Sequence, residues 1–76
     1  MQIEFSEHAL DQLKERPRIS QDMVLETIEK PDKILPSFRG RTLYQKQYSE
    51  DTLEVVTVVD SGKMVVITGY FLEDLR

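Results

Sequence analysis

The stretch LEVVTVVDSGKMVVITGYF, residues 53–71, decides the fold class, because it reads as two β-strands joined by a tight turn. The segments on either side of the turn are rich in β-branched residues and apolar on both faces, a pattern typical of strands inside a sheet. Gly62 lies in the DSGK segment between them and can adopt the positive φ that a short hairpin turn requires. Residues 53–71 therefore predict two central antiparallel strands.

Further strands are expected outside this pair. RTLYQKQY, residues 41–48, alternates in side-chain character, which predicts a strand with Tyr44 and Lys46 on the same face. KILP, residues 33–36, is either a short strand or an extended entry to the sheet, and the sequence leaves both open. QIEF, residues 2–5, alternates and predicts a short N-terminal strand.

Two helices are predicted between QIEF and the sheet by the same starting signal. Ser6 and Ser20 are expected N-caps, each preceded by an apolar residue and followed by another four positions later, the spacing of a hydrophobic staple. Pro17 and Pro31 end the helices. The expected buried stripes are Ala9, Leu10 and Leu13 in the first helix and Val24, Leu25 and Ile28 in the second. The prediction is an α+β domain with a short N-terminal strand, two helices on one face, and an antiparallel meander of three to four strands.

Length and composition limit the classes of protein to consider. The chain has 76 residues, which predicts a single domain over residues 1–76. It has no cysteine and only one histidine, so we expect no disulfide, no usual zinc site and no cofactor. The first ten residues lack the basic and apolar regions of a signal peptide, and no apolar run is long enough to span a membrane. We therefore expect a cytoplasmic protein without a membrane partner.

Charge is distributed unevenly along the chain. The formal net charge is −4, yet residues 32–48 carry one acid and four bases. These bases are Lys33, Arg39, Arg41 and Lys46. The overall negative charge argues against a protein that coats nucleic acid, whereas the positive segment supplies cations for contacts with phosphate. The alternative is an ordinary solvated strand and loop.

The order of these motifs resembles the family of domains of unknown function numbered 4258 (DUF4258). Its signature begins with Phe-Ser/Thr-x-His-Ala and ends with a Val-Val-Thr-x-Tyr strand. The matching residues are Phe5, Ser6, His8, Ala9, Leu13, Arg16, Ile19, Ser20, Val24, Pro31, Asp32, Gly40, Arg41, Tyr44, Val66, Thr68 and Tyr70. There are two departures, because Gln12 replaces an arginine of the family and residues 16–19 are one residue longer than its Arg-Gly-Ile.

The resemblance implies a fold and an activity. The DUF4258 family is similar to the RelE- and barnase-like group of small bacterial toxins that cleave RNA. It therefore implies a RelE-like fold in a prokaryotic protein, and an RNA endonuclease that forms a toxin–antitoxin pair. The implied partners are RNA and an antitoxin protein. Because Gln12 removes one positive charge, an inactive relative is the alternative within the same family.

RNA cleavage through the 2′-hydroxyl needs a base, an acid and donors that stabilise charge on the phosphoryl oxygens. Histidine, with an unperturbed pKa of about 6.5, suits the first two tasks, and the planar fork of arginine suits the third. His8, Gln12 and Arg16 follow one another at steps of four, which places them on one flank of the first helix. We expect this flank to line a groove beside the sheet.

The candidate site combines this flank with strand residues. The candidate catalytic residues are His8 as acid or base, Arg16 as a phosphate ligand and Tyr70 as a stacking or hydrogen-bonding group. The candidate RNA or phosphate contacts are Arg18, Arg39, Arg41, Lys46 and Tyr44. Tyr44, Lys46 and Tyr70 are expected to form the opposite wall of the groove.

Each candidate residue also has an ordinary structural interpretation. His8 can be a polar surface residue or a second cap, and Arg16 can cover the apolar stripe with its methylene groups. Tyrosines are common strand residues. The alternative function is therefore a binding module without catalysis, which self-associates as a dimer or captures a partner by strand addition.

Overall fold

The computed structural model describes residues 2–75. In chain order the elements are β1 (Gln2–Phe5), α1 (Glu7–Lys14), α2 (Gln21–Glu29), β2 (Lys33–Pro36), β3 (Arg41–Tyr48), β4 (Asp51–Asp60), β5 (Lys63–Phe71) and a 3₁₀ helix (Leu72–Leu75). Neither α-helix within residues 2–75 has the length and apolarity needed to cross a membrane.

The five strands form one mixed sheet in the order β1-β5-β4-β3-β2. From β2 to β5, each strand pairs antiparallel with the next one along the chain. β1 instead pairs parallel with β5, from Gln2 opposite Lys63 to Phe5 opposite Val66. The predicted α+β fold with two helices is confirmed. The strand count differs from the predicted antiparallel meander of three to four strands, because the N-terminal strand joins the same sheet in parallel and makes it a mixed sheet of five.

Both helices begin at the predicted caps. The hydroxyl oxygen of Ser6 accepts a hydrogen bond from the Ala9 amide (3.0 Å), and that of Ser20 accepts one from the Met23 amide (3.1 Å). Each bond satisfies one of the amides that the first turn of a helix leaves unpaired. The short connection between the helices contains Pro17, which cannot donate a hydrogen bond to continue α1.

The apolar core lies between the helices and one face of the sheet, which we call the helix face. Leu53, Val55 and Val66 contribute from the sheet, and Ala9 and Val24 contribute from the helices. Ile19 and Phe71 complete the buried cluster. Burial of a Val or Leu side chain stabilises a fold by about 1.5–3 kcal/mol, so these few residues supply most of the apolar stabilisation.

The buried side of α2 differs from the prediction. Val24 is buried as expected, but Leu25 and Ile28 are only half-buried, and Thr27 is buried in their place. The Thr27 hydroxyl donates to the Met23 carbonyl (2.8 Å), so this polar group enters the interior with its hydrogen bond satisfied. Because a residue of its own helix supplies the hydrogen-bond partner, Thr27 can be buried. The spacing of apolar residues alone predicts Leu25 and Ile28 in the interior instead.

A β-bulge in β5 changes the direction of its side chains. Val56 pairs with Thr68 and Thr57 pairs with Val66, so Ile67 is an extra residue on β5. Val66 is buried in the core, and a Cβ on Gly69 would lie 3.8 Å from a methyl group of Val24 in α2. Val66 and Gly69, three positions apart, therefore both face the helices. In a regular strand they would face opposite sides, because successive side chains alternate.

Candidate functional site

Arg16 lies just beyond α1 and is held against β5 by one end of its guanidinium group. Its Nη1 donates to the Gly69 carbonyl (2.8 Å), with longer contacts to Gln12 Oε1 (3.3 Å) and Thr68 Oγ1 (3.5 Å). These contacts lie beyond the residue at which pairing between β5 and β1 ends. None of the hydrogen bonds within residues 2–75 uses Nη2 or Nε of Arg16. Arg16 therefore keeps donors for another group while Nη1 holds it in place.

Gln12 and Thr68 complete the contact between α1 and β5. The Thr68 hydroxyl donates to Gln12 Oε1, the same atom that faces Arg16 Nη1. The expected flank on α1 therefore exists for Gln12 and Arg16. The bulge at Ile67 precedes Thr68 directly, and it sets the positions of the β5 residues that meet this flank.

Tyr70 and Glu54 form a hydrogen-bonded pair on the opposite face of the sheet, which we call the open face. They are register partners on β5 and β4, and the Tyr70 hydroxyl donates to Glu54 Oε2. Gln45 on β3 donates from Nε2 to Glu54 Oε1 (2.8 Å). Glu54 is only 7% exposed, and both of its oxygens have a partner. We refer to Gln12, Arg16, Gln45, Glu54, Thr68 and Tyr70 as the polar cluster.

The environment of Tyr70 strongly favours its neutral phenol. Burial raises the pKa of Tyr70 to about 12, and the hydrogen bond to Glu54 and the negative charge of Glu54 act in the same direction. The positive charge of Arg16 opposes them and lowers the pKa of Tyr70. The charge of Arg16, in the segment after α1, therefore acts on the phenol of Tyr70 in β5.

His8 does not join the polar cluster. It is exposed in the first turn of α1, and none of the side-chain hydrogen bonds or ion pairs within residues 2–75 involves it. His8 precedes Arg16 by eight residues, roughly 12 Å at the rise of an α-helix. His8 and Arg16 are therefore too far apart along the chain to contact the same phosphate group.

Arg18 is occupied by two contacts. Its guanidinium pairs with Asp51 at the start of β4, and its central carbon lies 4.5 Å from the centre of the Phe71 ring. These contacts tie the connection between the helices to the sheet. A small depression of about 220 Å³ lies beside it, lined by Arg16, Arg18 and Phe71 among others. Arg16 thus borders both this depression and the polar cluster.

Tyr44 and Lys46 lie on the helix face and not with Tyr70. Tyr44 pairs with Val55 and packs against the core, and Lys46 pairs with Leu53 and donates from Nζ to the Lys30 carbonyl (3.0 Å). Because Glu54 lies between Leu53 and Val55, its partner Tyr70 points to the other side of the sheet. The expected wall of Tyr44, Lys46 and Tyr70 is therefore wrong, although Tyr44 and Lys46 share a face as predicted.

Arg39 and Arg41 lie at the turn between β2 and β3. Arg39 is exposed at the turn, with a φ of 64°, and Arg41 is half-buried opposite Val58. Glu54 pairs with Gln45, four residues farther along β3, so these arginines stand well away from the polar cluster. Of the eight predicted site residues, the structure links Arg16 and Tyr70. Arg16 binds the carbonyl of Gly69, which precedes Tyr70 in the chain, and its charge lowers the pKa of Tyr70.

Sequence reasoning did not select Glu54 and Gln45. Glu54 is the single acid within the apolar run LEVVTVV, and this isolation was the signal available in the sequence. An acidic residue in an apolar central strand is expected to have a specific partner. Its partner Gln45 carries no comparable signal. Within residues 2–75 no group of acidic or histidine side chains has the arrangement of a metal site.

A comparison with protein families matches most of the chain. Residues 5–71 match the family described as a domain of unknown function, DUF4258. The chain belongs to the DUF4258 family. No match is found among curated proteins or among solved structures. The polar cluster of this DUF4258 protein lies entirely within the matched range, from Gln12 to Tyr70.

Proposed function

We propose that this DUF4258 protein is a small RNA-cleaving protein with a RelE-like fold that acts in the cytoplasm as the toxin of a toxin–antitoxin pair. The observation that carries the proposal is the guanidinium of Arg16, which is anchored to the carbonyl of Gly69. The next residue in the chain, Tyr70, donates its hydroxyl proton to the buried Glu54. This arrangement combines a phosphate ligand, a hydroxyl group and a carboxylate in one polar cluster, which are the functional groups that RNA cleavage uses.

Arg16 is the phosphate ligand in this proposal. Its Nη1 is fixed by the Gly69 carbonyl, so the orientation of the group is set before a ligand arrives. The remaining donors can bind two oxygens of a phosphodiester group and stabilise the charge that develops on them. Because the fork is already held in place, little further ordering is needed when the substrate binds.

Tyr70 and Glu54 supply the base through a proton relay. Tyr70 is half-buried and can be reached by substrate, whereas Glu54 lies beneath it at 7% exposure. The 2′-hydroxyl of RNA gives its proton to the Tyr70 oxygen as the Tyr70 proton passes to Glu54. The 2′-oxygen then bonds to phosphorus, the bond from phosphorus to the 5′-oxygen breaks, and water protonates the leaving oxygen. A relay is required because a phenol with a pKa of about 12 does not ionise at neutral pH.

His8 has a more distant part in this proposal. Its imidazole is exposed in the first turn of α1, whereas Arg16 lies just beyond the end of α1, roughly two helical turns away. Successive phosphates of an extended RNA strand can bridge such a separation, so His8 contacts a neighbouring nucleotide instead of the reacting one. We therefore expect His8→Ala to weaken RNA binding and to leave the cleavage rate of bound RNA unchanged.

The proposal is tested with the purified chain and a fluorescent single-stranded RNA oligonucleotide, at low salt and with a chelator present. We expect slow cleavage that leaves a 2′,3′-cyclic phosphate end. Arg16→Gln should lower the rate by about 10²–10³-fold, as expected when one charge-stabilising group is removed. Tyr70→Phe should lower the rate to a similar degree and leave RNA affinity unchanged, because it removes the relay and not the phosphate ligand.

Matched controls separate chemistry from folding. Lys14→Gln removes an exposed cation from the same helix, and Tyr44→Phe removes a phenol on the helix face. Both variants should cleave at a rate within about twofold of the wild type, since neither residue belongs to the polar cluster. Thermal unfolding of every variant identifies any loss that results from a disturbed fold.

Gln12→Arg tests whether the site has lost part of its phosphate binding. The new cation would stand beside Arg16, so RNA affinity should rise at low salt and fall more steeply as salt is added. Cleavage by this variant alone would identify the wild type as an inactive relative. Absence of cleavage and binding by both proteins would refute RNA cleavage and leave the non-catalytic binding module as the function.

A further inference from the structure

The outer strand β2 presents an exposed apolar surface next to positive charge. All four of its residues are exposed, and the far side of β2 has no neighbouring strand within residues 2–75. Ile34 is 57% exposed, Leu35 is 38% exposed, and Phe38, in the turn after β2, is 80% exposed. We call residues 33–39 the β2 edge.

The β2 edge also carries positive charge in an acidic protein. Lys33 and Arg39 are exposed, and neither forms an ion pair with another residue in the range 2–75. The three ion pairs in this range use other cations, namely Lys14, Arg18 and Lys63. The β2 edge therefore combines uncompensated positive charge with exposed apolar side chains.

A second copy of the chain is a poor occupant of this edge. Pairing of β2 with another β2 would bring the cations Lys33 and Arg39 of both copies into one small region. Pro36 lacks an amide proton and limits the hydrogen bonds that such a short pairing can form. Lys and Pro on an edge strand are recognised devices against edge-to-edge aggregation. A partner with acidic residues would avoid this repulsion, because its carboxylates would be attracted to Lys33 and Arg39.

We propose that the β2 edge binds an extended segment of a different protein, in which acidic and apolar residues alternate, as a sixth strand of the sheet. Its apolar residues would cover Ile34 and Phe38, and its carboxylates would pair with Lys33 and Arg39. Lys33 and Leu35 pair with Gln45 and Leu43, while Ile34 pairs with Tyr44 on the helix face. Lys33 thus lies on one face of β2 and Ile34 on the other. An incoming strand that alternates acidic and apolar residues would present one type of side chain to each face.

Exposed apolar surface favours a peptide over RNA as the occupant. A binding site for single-stranded RNA combines cations with aromatic stacking platforms. The β2 edge offers one aromatic ring, that of Phe38, beside the aliphatic Ile34 and Leu35. The proposal is independent of RNA cleavage, since the β2 edge shares no residue with the polar cluster.

The test is an NMR titration of the isotopically labelled chain with two capped eight-residue peptides. In one peptide valine alternates with glutamate, and in the other valine alternates with lysine. We expect the glutamate peptide to shift the amide signals of residues 33–35 and 37–39 and the lysine peptide to leave them unchanged. Lys33→Glu/Arg39→Glu should weaken binding of the glutamate peptide at least tenfold, whereas the matched control Lys14→Glu should leave it within twofold.

Several outcomes would overturn the proposal. It fails if neither peptide binds, if both bind equally, or if the shifts fall on β1 or the helices. It also fails if Lys33→Glu/Arg39→Glu is folded and binds the glutamate peptide like the wild type. A dimer formed through residues 33–39 without peptide would identify a second copy as the occupant. Displacement of the glutamate peptide by an RNA oligonucleotide would identify RNA.

Discussion

Arg16 shows how one side chain can be structural and still remain available for a ligand. Its Nη1 fastens the end of α1 to the Gly69 carbonyl of β5, while its other donors lie free of the hydrogen bonds within residues 2–75. Arg16→Lys would keep the charge and lose the planar fork. We therefore expect weaker anchoring as well as weaker phosphate binding, and not a conservative change.

Individual site residues were predictable to different degrees. Arg16 was selected because a step of four on a helix places it beside Gln12, and the structure shows that contact. His8 follows the same rule but lies too far along α1 to share a ligand atom. Glu54 was missed because an isolated acid in a strand gives no information about its partner. That partner, Tyr70, is brought near only by strand register.

The raised pKa of Tyr70 predicts a loss of stability in alkaline solution. The fold favours the neutral phenol, so its contribution is complete below the unfolded pKa of 10 and is lost as pH rises towards about 12. The slope should be below the limit of about 1.4 kcal/mol per pH unit for one proton, because the half-exposed phenol is partly screened by solvent. Urea unfolding at pH 9 to 12 measures how the free energy of unfolding changes with pH.

Tyr70→Phe is the control for this alkaline effect. The variant should show a smaller fall in the free energy of unfolding over the same pH range. The residual fall comes in part from Tyr48, because burial and a hydrogen bond to Glu26 also raise its pKa. Equal pH dependence in the wild type and in Tyr70→Phe would contradict the assignment to Tyr70.

Two glycines should respond in opposite ways to the same substitution. Gly69 has no positive φ, and a Cβ there would meet its nearest neighbours at 3.8–3.9 Å, which is ordinary contact. Gly69→Ala should therefore be neutral or stabilise the fold by up to about 1 kcal/mol, by restricting the unfolded chain. Gly62 has a φ of +77°, so Gly62→Ala should destabilise the fold by about 1 kcal/mol. Chemical denaturation of both variants tests the contrast.

At the scale of elements, helix ends were predictable and strand details were not. The caps Ser6 and Ser20 act through bonds to amides three residues away, so local sequence contains the whole signal. The bulge at Ile67 depends on the fit between β4 and β5. Nothing in MVVITGYF marks one β-branched residue as the extra one. The strand β2 depends on a neighbour in the same way, because it exists through its pairing with β3 and its four residues alone do not distinguish a strand from an extended loop.

The cap of α2 can be tested directly. Ser20→Ala removes the acceptor of the Met23 amide and should lower the free energy of unfolding by about 1 kcal/mol. Gln21→Ala changes the adjacent exposed residue without touching the cap, so its effect should stay within a few tenths of a kcal/mol. Equal loss in both variants, measured by urea unfolding, would show that the Ser20 hydroxyl is not the stabilising group.

For the whole molecule, stability depends on very few buried side chains. Leu53 is completely buried at the centre of the core, and truncation of such a residue costs about 2–5 kcal/mol. A domain of this size has a total stability of only about 5 kcal/mol. Leu53→Ala should therefore leave a large unfolded fraction at 25 °C. Val59→Ala truncates an exposed side chain and should lower the free energy of unfolding only slightly. Circular dichroism melting curves compare the two.

The topology was the least predictable property, because it depends on contacts between distant parts of the chain. The alternation of QIEF predicted a strand but gave no information on its partner or direction. Parallel pairing with β5 requires that the chain cross the sheet through both helices before it returns. The partner and direction of β1 depend on the burial of Val66 and on the register of four residue pairs. Both exist only in the assembled sheet.

The pairing of β1 with β5 has a consequence for biosynthesis. β1 leaves the ribosome well before its partner, since Gln2 pairs with Lys63, a residue made some sixty positions later. β1 must therefore wait, unpaired, until β5 has been made, while β2, β3 and β4 can already pair with one another. Such long-range closure is slow, and the waiting segment is exposed to chaperones and to neighbouring nascent chains. A ribosome that stalls before residue 63 would release a fragment that cannot complete its sheet.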